Sequence, residues 1–168
     1  FRPLRVLVPL AKELLARPLR PADGAALAGL HRRAVLSIPE QFYSAAERQS
    51  WAYGLTSGGY AKAVAGGEMI EVAVNGNDVA IAFCGRKDAE VCGLYVDPDH
   101  QGDGLGRTLL TLAEAAIADA GHRRIAIRAS LSAVPFYRSR GYSEIGRTGF
   151  TSRGGLVISA VNLEKIIA

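Results

Sequence analysis

V-C-G-L-Y-V-D-P-D-H-Q-G-D-G-L-G, residues 91–106, is the stretch around which the rest of the chain is arranged. Val91 to Val96 is an apolar run that reads as a buried strand. Asp97-Pro98-Asp99 stops it, because proline fixes its own φ and restricts the residue before it. Gln101-Gly102-Asp103-Gly104-Leu105-Gly106 follows, and from Gly104 to Ala120 the apolar residues fall at 105, 109, 112, 113, 116 and 117, a helical stripe. The order is therefore strand, glycine-rich turn, helix. Glycines let the backbone come close to a ligand, and the turn's N–H groups add to the unpaired donors of the helix start, so the segment suits a pyrophosphate. A lone G-x-G also suits a plain tight turn.

The run V-D-P-D-H-Q-G-D-G-L-G-R-T-L-L resembles the acetyl-CoA motif of the GNAT N-acetyltransferase superfamily, (Q/R)-x-x-G-x-(G/A) preceded by a strand ending V-x-P. Gln101, Gly104 and Gly106 fill the fixed positions, and Val96 and Pro98 match the lead-in. A Rossmann G-x-G-x-x-G does not fit the spacing of Gly102, Gly104 and Gly106, and there is no Gly-Lys-Ser/Thr of a P-loop. Downstream, I-A-I-R-A-S (125–130) and A-V-P-F-Y-R-S-R-G-Y (133–142) resemble the family's fifth strand and fourth helix with its F-Y-x-x-x-G-(F/Y). The resemblance runs from Arg17 to Lys165 and is densest over 91–142.

Length and composition agree with one globular domain. The chain has 168 residues, 49% hydrophobic and 21% charged. No apolar run approaches the roughly 20 residues of a membrane span, so no membrane partner is expected. Net charge is +4, with eight Lys/Arg against four acids in 1–50, three against seven in 51–100, and seven against four in 101–150. Arg107 lies beside the glycine turn. Coenzyme A is itself polyanionic, so this charge does not call for nucleic acid, and the sparse aromatics show no base-stacking pattern. Cys84 and Cys92 fall on adjacent strands around an R-K-D-A-E turn. They could face each other, but read more simply as two small buried hydrophobes. Two cysteines without an export signal point to a reducing cytoplasm. No Cys/His cluster suggests a metal.

Residues 1–15 are basic and apolar but broken by Pro3 and Pro9. They read as an N-terminal extension rather than a signal peptide, with the domain proper over 16–168. Leu14 to Arg20 reads as a first strand. Asp23 is expected to cap a helix with the stripe Leu27, Leu30, Ala34 and Ile38. Ser44-Ala45-Ala46-Glu47 is a capping box opening a short helix that carries Trp51. Met69–Val74 and Val79–Cys84 flank Asn75-Gly76, a two-residue hairpin signal, and a second hairpin through 85–90 leads into the central strand. Gly121 suits a helix C′ position. Ile125, Ile127 and Ala129 alternate with Arg124, Ala126 and Arg128, a half-buried strand. Because a helix intervenes, this strand should run parallel to Val91–Val96 with a right-handed crossover. A short helix from Ser132 tolerates Pro135 in its first turn and ends at Gly141. Tyr142–Arg147 and Leu156–Val161 make a last antiparallel pair.

The resemblance implies functional residues. Backbone at Leu94, Tyr95 and Val96 would pair with the pantetheine arm where the central strand parts from its parallel neighbour, and Gly93 is compatible with a bulge there. The pyrophosphate would sit on Gly102, Asp103, Gly104, Leu105, Gly106 and Arg107, after Gln101, with Arg107 and Thr108 side chains assisting. Tyr137, at the family's F-Y position, would be the general acid for the leaving thiolate, and also suits a half-buried packing tyrosine. Glu90, eleven residues before Gln101, has the spacing of the glutamate base of the histone-acetyltransferase branch, and equally suits a solvated turn charge. Glu68, Glu71 or a water chain could serve instead. The glutamate of the branch acting on ribosomal-protein N-termini has no counterpart, since Ala126 stands there. F-Y-S-A-A-E-R-Q-S-W-A resembles a segment of one bacterial GNAT branch, which makes Phe42, Tyr43, Trp51 and Tyr53 acceptor-side candidates, although each also suits ordinary packing.

The expectation is a single α/β (α+β) domain. It has a mixed, mostly antiparallel twisted sheet of six to seven strands, a splayed central parallel pair, and helices on both faces. The implied activity is acetyl-CoA-dependent N-acetyl transfer to a primary amine by direct attack in a ternary complex, without a metal. The acceptor would be a small-molecule or protein amine, and the excess of acids over 68–99 would suit a cationic one. A homodimer is compatible with the reading. The alternatives are a non-enzymatic acyl-CoA-binding or regulatory module on the same fold, and a nucleotide-binding module.

Overall fold

The computed structural model describes residues 8–9 and 14–167. Seven strands form one sheet: β1 (Leu15–Pro18), β2 (Met69–Val74), β3 (Ala80–Lys87), β4 (Glu90–Val96), β5 (Arg124–Ser130), β6 (Ser143–Thr151) and β7 (Val157–Ile166). Five α-helices accompany them: α1 (Gly24–Leu36), α2 (Ala45–Ala52), α3 (Gly58–Ala65), α4 (Leu105–Asp119) and α5 (Val134–Ser139). The strand order is β1-β2-β3-β4-β5-β7-β6, and a two-residue strand, Val8–Pro9, lies outside β1. The rest of the expected extension over 1–15, apart from Leu14 and Leu15, falls outside the described residues; Leu15 itself opens β1. All pairings are antiparallel except β4 with β5, as the intervening helix α4 requires.

Helices cover both faces. Alternation in β5 turns Ile125, Ile127 and Ala129 toward α4 and α5, where they join Leu105, Leu109, Leu110, Ala113, Ile117 and Tyr137 in one core. The other face carries a second core, with Leu27 and Leu30 of α1 and Tyr60 of α3 packed on Ile70, Val72, Val74 and Phe83. β3 is buried along Ala80–Gly85 because it lies between both layers. Gly121, at φ +93°, ends α4 as its position predicts.

Local chemistry differs from the sequence expectations at four places. Asp23 stands at the N-cap of α1, but its carboxylate takes no helix N–H. It accepts instead from both terminal nitrogens of buried Arg17, at 2.7 and 2.8 Å, and from the Arg20 backbone. The stripe of α1 is completed by buried Val35, and Ile38 lies beyond the helix end. The β2–β3 turn is longer than Asn75-Gly76. The Asn75 N–H donates to Val79 O, the Asn75 side chain accepts from the N–H groups of Asn77 and Val79, and Asp78 takes the left-handed conformation at φ +60°, where it accepts from Arg17. Cys84 is buried as expected, but Cys92 is exposed, and both are free thiols. The capping box at Ser44 and Glu47 forms as the sequence implies.

Candidate functional site

The site is built where β4 leaves β5. β3 and β4 pair as Gly85 with Gly93, then Arg86 with Val91, so Cys92 is an extra residue bulged out of the ladder beside Gly93. β4 pairs with β5 only through Glu90 with Ala126 and Val91 with Ile127. Beyond Val91 the two parallel strands separate. The β5-side backbone groups of Gly93 to Val96 then have no ladder partner on β5, and such groups need one from elsewhere. They border a cleft of about 1010 Å³.

The glycine turn closes one end of the cleft. Gly102 (φ +89°) and Gly104 (φ +79°) both adopt the left-handed conformation, and Gly104 is the N-cap of α4. This aims the free N–H groups of the first turn of α4 at the space lined by Gln101, Gly102, Gly104, Gly106 and Arg107. Asp103 and Thr108 stand off that wall, and the Thr108 hydroxyl donates to Gly104 O at 3.0 Å. The turn is anchored from α1. The Arg33 guanidinium bonds the Asp97 carboxylate and, against the effect of burial, holds that carboxyl below its usual range; the other Asp97 oxygen caps Asp99 N–H.

α5 supplies the wall beside Gly106, where an added Cβ would lie 3.8 Å from Phe136 Cζ. Phe136 and Tyr137 line the cleft, with Tyr137 packed edge-on to Phe136 and Tyr142. Tyr137 is 5% exposed, and burial raises its phenol well above the ordinary value, so it is protonated at neutral pH.

The far side of the cleft lies over the α1–α3 face. Here His31 of α1 lies against Tyr95 with ring centroids 3.9 Å apart and the planes tilted by 39°, and meets Tyr60 Oη through Nδ1 at 3.0 Å. Its Nε2 is buried without a partner, and burial pushes the imidazole pKa down to about 4. Glu68, just before β2, reaches over Gly85, where a Cβ would lie 2.0 Å from its Oε1. Desolvation raises its carboxyl above the ordinary value, with Lys87 opposing. On the β5 side of the cleft lie Arg128, from β5 itself, and Trp51, Phe150 and Arg153. Trp51 packs edge-on to Phe150 at 5.4 Å, and the Arg128 guanidinium lies 5.3 Å from the same ring.

The structure thus brings together Leu94, Tyr95, Val96, Gln101, Gly102, Gly104 to Arg107, Tyr137 and Trp51. It does not bring in the other three aromatic residues named for the acceptor side. Tyr43 is buried and serves the fold, donating to Ser159 O at 2.7 Å and accepting from Leu131 N at 2.8 Å. Tyr53 is 65% exposed, and Phe42 stands outside the lining. Glu90 is exposed at the closed end of the parallel pair, beside Lys87 and Arg124, and does not line the cleft. Of the acids over 68–99, Glu68 alone lines it. Sequence reasoning passed over His31, Tyr60, Arg128, Phe150 and Arg153. Arg128 carried a signal, since it sits on the polar phase of an alternating strand.

A family model described as an acetyltransferase (GNAT) domain matches residues 28–158. Among solved structures, a GCN5-related N-acetyltransferase from Rhodopseudomonas palustris superposes with TM-score 0.85 at 23% identity, covering 95% of this chain and 99% of that one. The PaiA N-acetyltransferase from Thermoplasma acidophilum, in complex with coenzyme A, gives 0.72 at 18% identity over 92% and 99%. YncA of Salmonella typhimurium, solved with acetyl-CoA, gives 0.62 at 20% identity over 94% and 95%. At these identities the likeness is one of fold. No curated protein matches the chain in sequence.

Proposed function

The chain belongs to the GNAT acetyltransferase family, and on that premise we propose that it transfers an acetyl group from acetyl-CoA to a primary amine by direct attack. The observation that carries the reading is the parting of β4 from β5 after Val91, followed by the left-handed glycines that open α4. In this reading the pantetheine arm pairs with the free backbone edge of Leu94 to Val96. The pyrophosphate takes the N–H groups of Gly102 to Arg107, with the Arg107 side chain as a counter-charge.

The amine must attack as the neutral species, although its solution pKa is about 10. Its lone pair forms the C–N bond while the C–S bond breaks. The nitrogen's surplus proton passes to a base, and the departing sulfur takes a proton from an acid. Tyr137 is the acid, because its buried phenol stays protonated and it lies on the cleft wall. Glu68 is the base within the cleft, its raised carboxyl pKa bringing it nearer to neutral pH. Glu90 stands outside the cleft and has no part in this reading.

The test is an amine panel with acetyl-CoA, read by release of free coenzyme A. Acceptor-dependent release supports the reading. Tight coenzyme A binding with no release for any amine would leave a non-catalytic acyl-CoA-binding module instead.

A further inference from the structure

Resting on that acetyl-transfer reading, we propose that the acceptor is an amine bearing an anionic group, with Arg128 and Arg153 as its counter-charges. Both guanidinium groups lie on the acceptor side of the cleft, and both residues are exposed. Among the described residues, neither comes within 4.0 Å of a carboxylate. Arg33 and Arg138, by contrast, each pair with an acid.

The two arginines serve one space. Arg128 projects from the face of β5 opposite the buried Ile127 and Ala129, and its guanidinium lies over the Phe150 ring. Arg153 follows β6, its stem against Gly54, and its charge reaches His31 and Tyr60. The charge of Arg128 reaches Tyr95. The cation–π contact with Phe150 holds the Arg128 guanidinium on this side of the cleft without using its N–H donors, which suit a carboxylate or phosphate through two parallel hydrogen bonds.

The remaining charge completes the pattern. Glu68 approaches from the β2 side of the strand gap, and the arginines lie on the β5–β6 side. An acceptor carrying both groups would span the gap, with its amine toward Glu68 and the thioester, its anion on the arginines, and its apolar body against Trp51 and Phe150. A purely cationic amine would meet two uncompensated positive charges.

The experiment uses three matched acceptors: phenylalanine, phenylalaninamide and phenethylamine, with phenylalanine phosphonate as a second anion. Turnover is read by coenzyme A release. Independently of turnover, binding of N-acetylphenylalanine and its amide to the coenzyme A-loaded protein is read by calorimetry. The expected result is at least tenfold higher kcat/KM, and tighter binding, for the anionic member of each pair. The preference should collapse in Arg128→Gln and Arg153→Gln while coenzyme A affinity is kept. A higher phosphonate than carboxylate value would place the acceptor among phosphorylated amines. Equal or better use of phenethylamine, or a preference unchanged in both variants, overturns the inference. Failure of coenzyme A itself to bind would overturn the acetyl-transfer reading instead.

Discussion

The imidazole of His31 and the ring of Tyr95 lie 3.9 Å apart, centroid to centroid, which locks α1 onto the part of β4 that has left its parallel neighbour. The contact joins the helix that anchors Asp97 through Arg33 to the strand edge that the proposed reading gives to the pantetheine arm. The imidazole is neutral because burial, aided by the charge of Arg153, pushes its pKa to about 4.

That neutrality makes stability depend on pH. In the unfolded chain the imidazole titrates near 6.5. Between pH 6.5 and 4 the unfolded chain therefore binds more protons than the folded one, and stability falls as pH drops through that window. The full effect is on the order of 3 kcal/mol. Denaturant unfolding at a series of pH values should show His31→Gln with a flatter profile than wild type over this window. Parallel profiles would contradict the assignment.

Tyr137→Phe keeps the aromatic packing against Phe136 and Tyr142 and removes the proton donor. The expected loss is about 100-fold in kcat, with the Kd for acetyl-CoA changed less than threefold. Steady-state kinetics and a binding titration separate the two. Unchanged kcat would remove the tyrosine from the chemistry.

Gly104 and Gly121 form a matched pair. Both sit at positive φ, +79° and +93°, and an added Cβ meets nothing within 4 Å at either. Alanine at either position should cost about 1 kcal/mol in stability through backbone strain. Only Gly104→Ala should weaken coenzyme A binding, by about tenfold, because only there do the donors of the α4 first turn shift. Equal affinity in the two variants would detach the glycine turn from the ligand.

Arg17 and Asp23 form a pair that is 2% and 6% exposed. Removing the Asp23 carboxylate leaves the buried Arg17 guanidinium with the half-exposed Asp78 as its remaining partner, so Asp23→Ala should cost about 3 kcal/mol, measured by chemical unfolding. Arg17→Met combined with Asp23→Leu should recover a large part of that loss. An additive double variant would mean the pair is not coupled.

The sequence carried the strand–turn–helix, its glycines and the alternation of β5, because close backbone approach and a half-buried strand each require particular residue types at fixed spacing. It carried the Ser44 capping box for the same reason. Helix α3 escaped notice because it opens on Gly58-Gly59 with no side-chain cap, and packing of Tyr60 rather than propensity holds it. The β2–β3 turn was misjudged because the Asn75 side chain supplies hydrogen bonds that a two-residue turn takes from backbone. On the acceptor side, Tyr43 and Trp51 are eight residues apart and pack edge-on to each other, yet only Trp51 reaches the cleft. Arg128, Phe150 and Arg153 are brought there by β7 inserting between β5 and β6, a topology that no local spacing announces.

The most direct test of the central claim is a titration of the protein with coenzyme A followed by backbone amide NMR. The amides of Leu94 to Val96 and Gly102 to Thr108 should shift and saturate together, while those of Lys87 to Glu90, at the closed end of the parallel pair, stay in place. No shift at millimolar coenzyme A, or shifts confined to other parts of the sheet, would contradict the account.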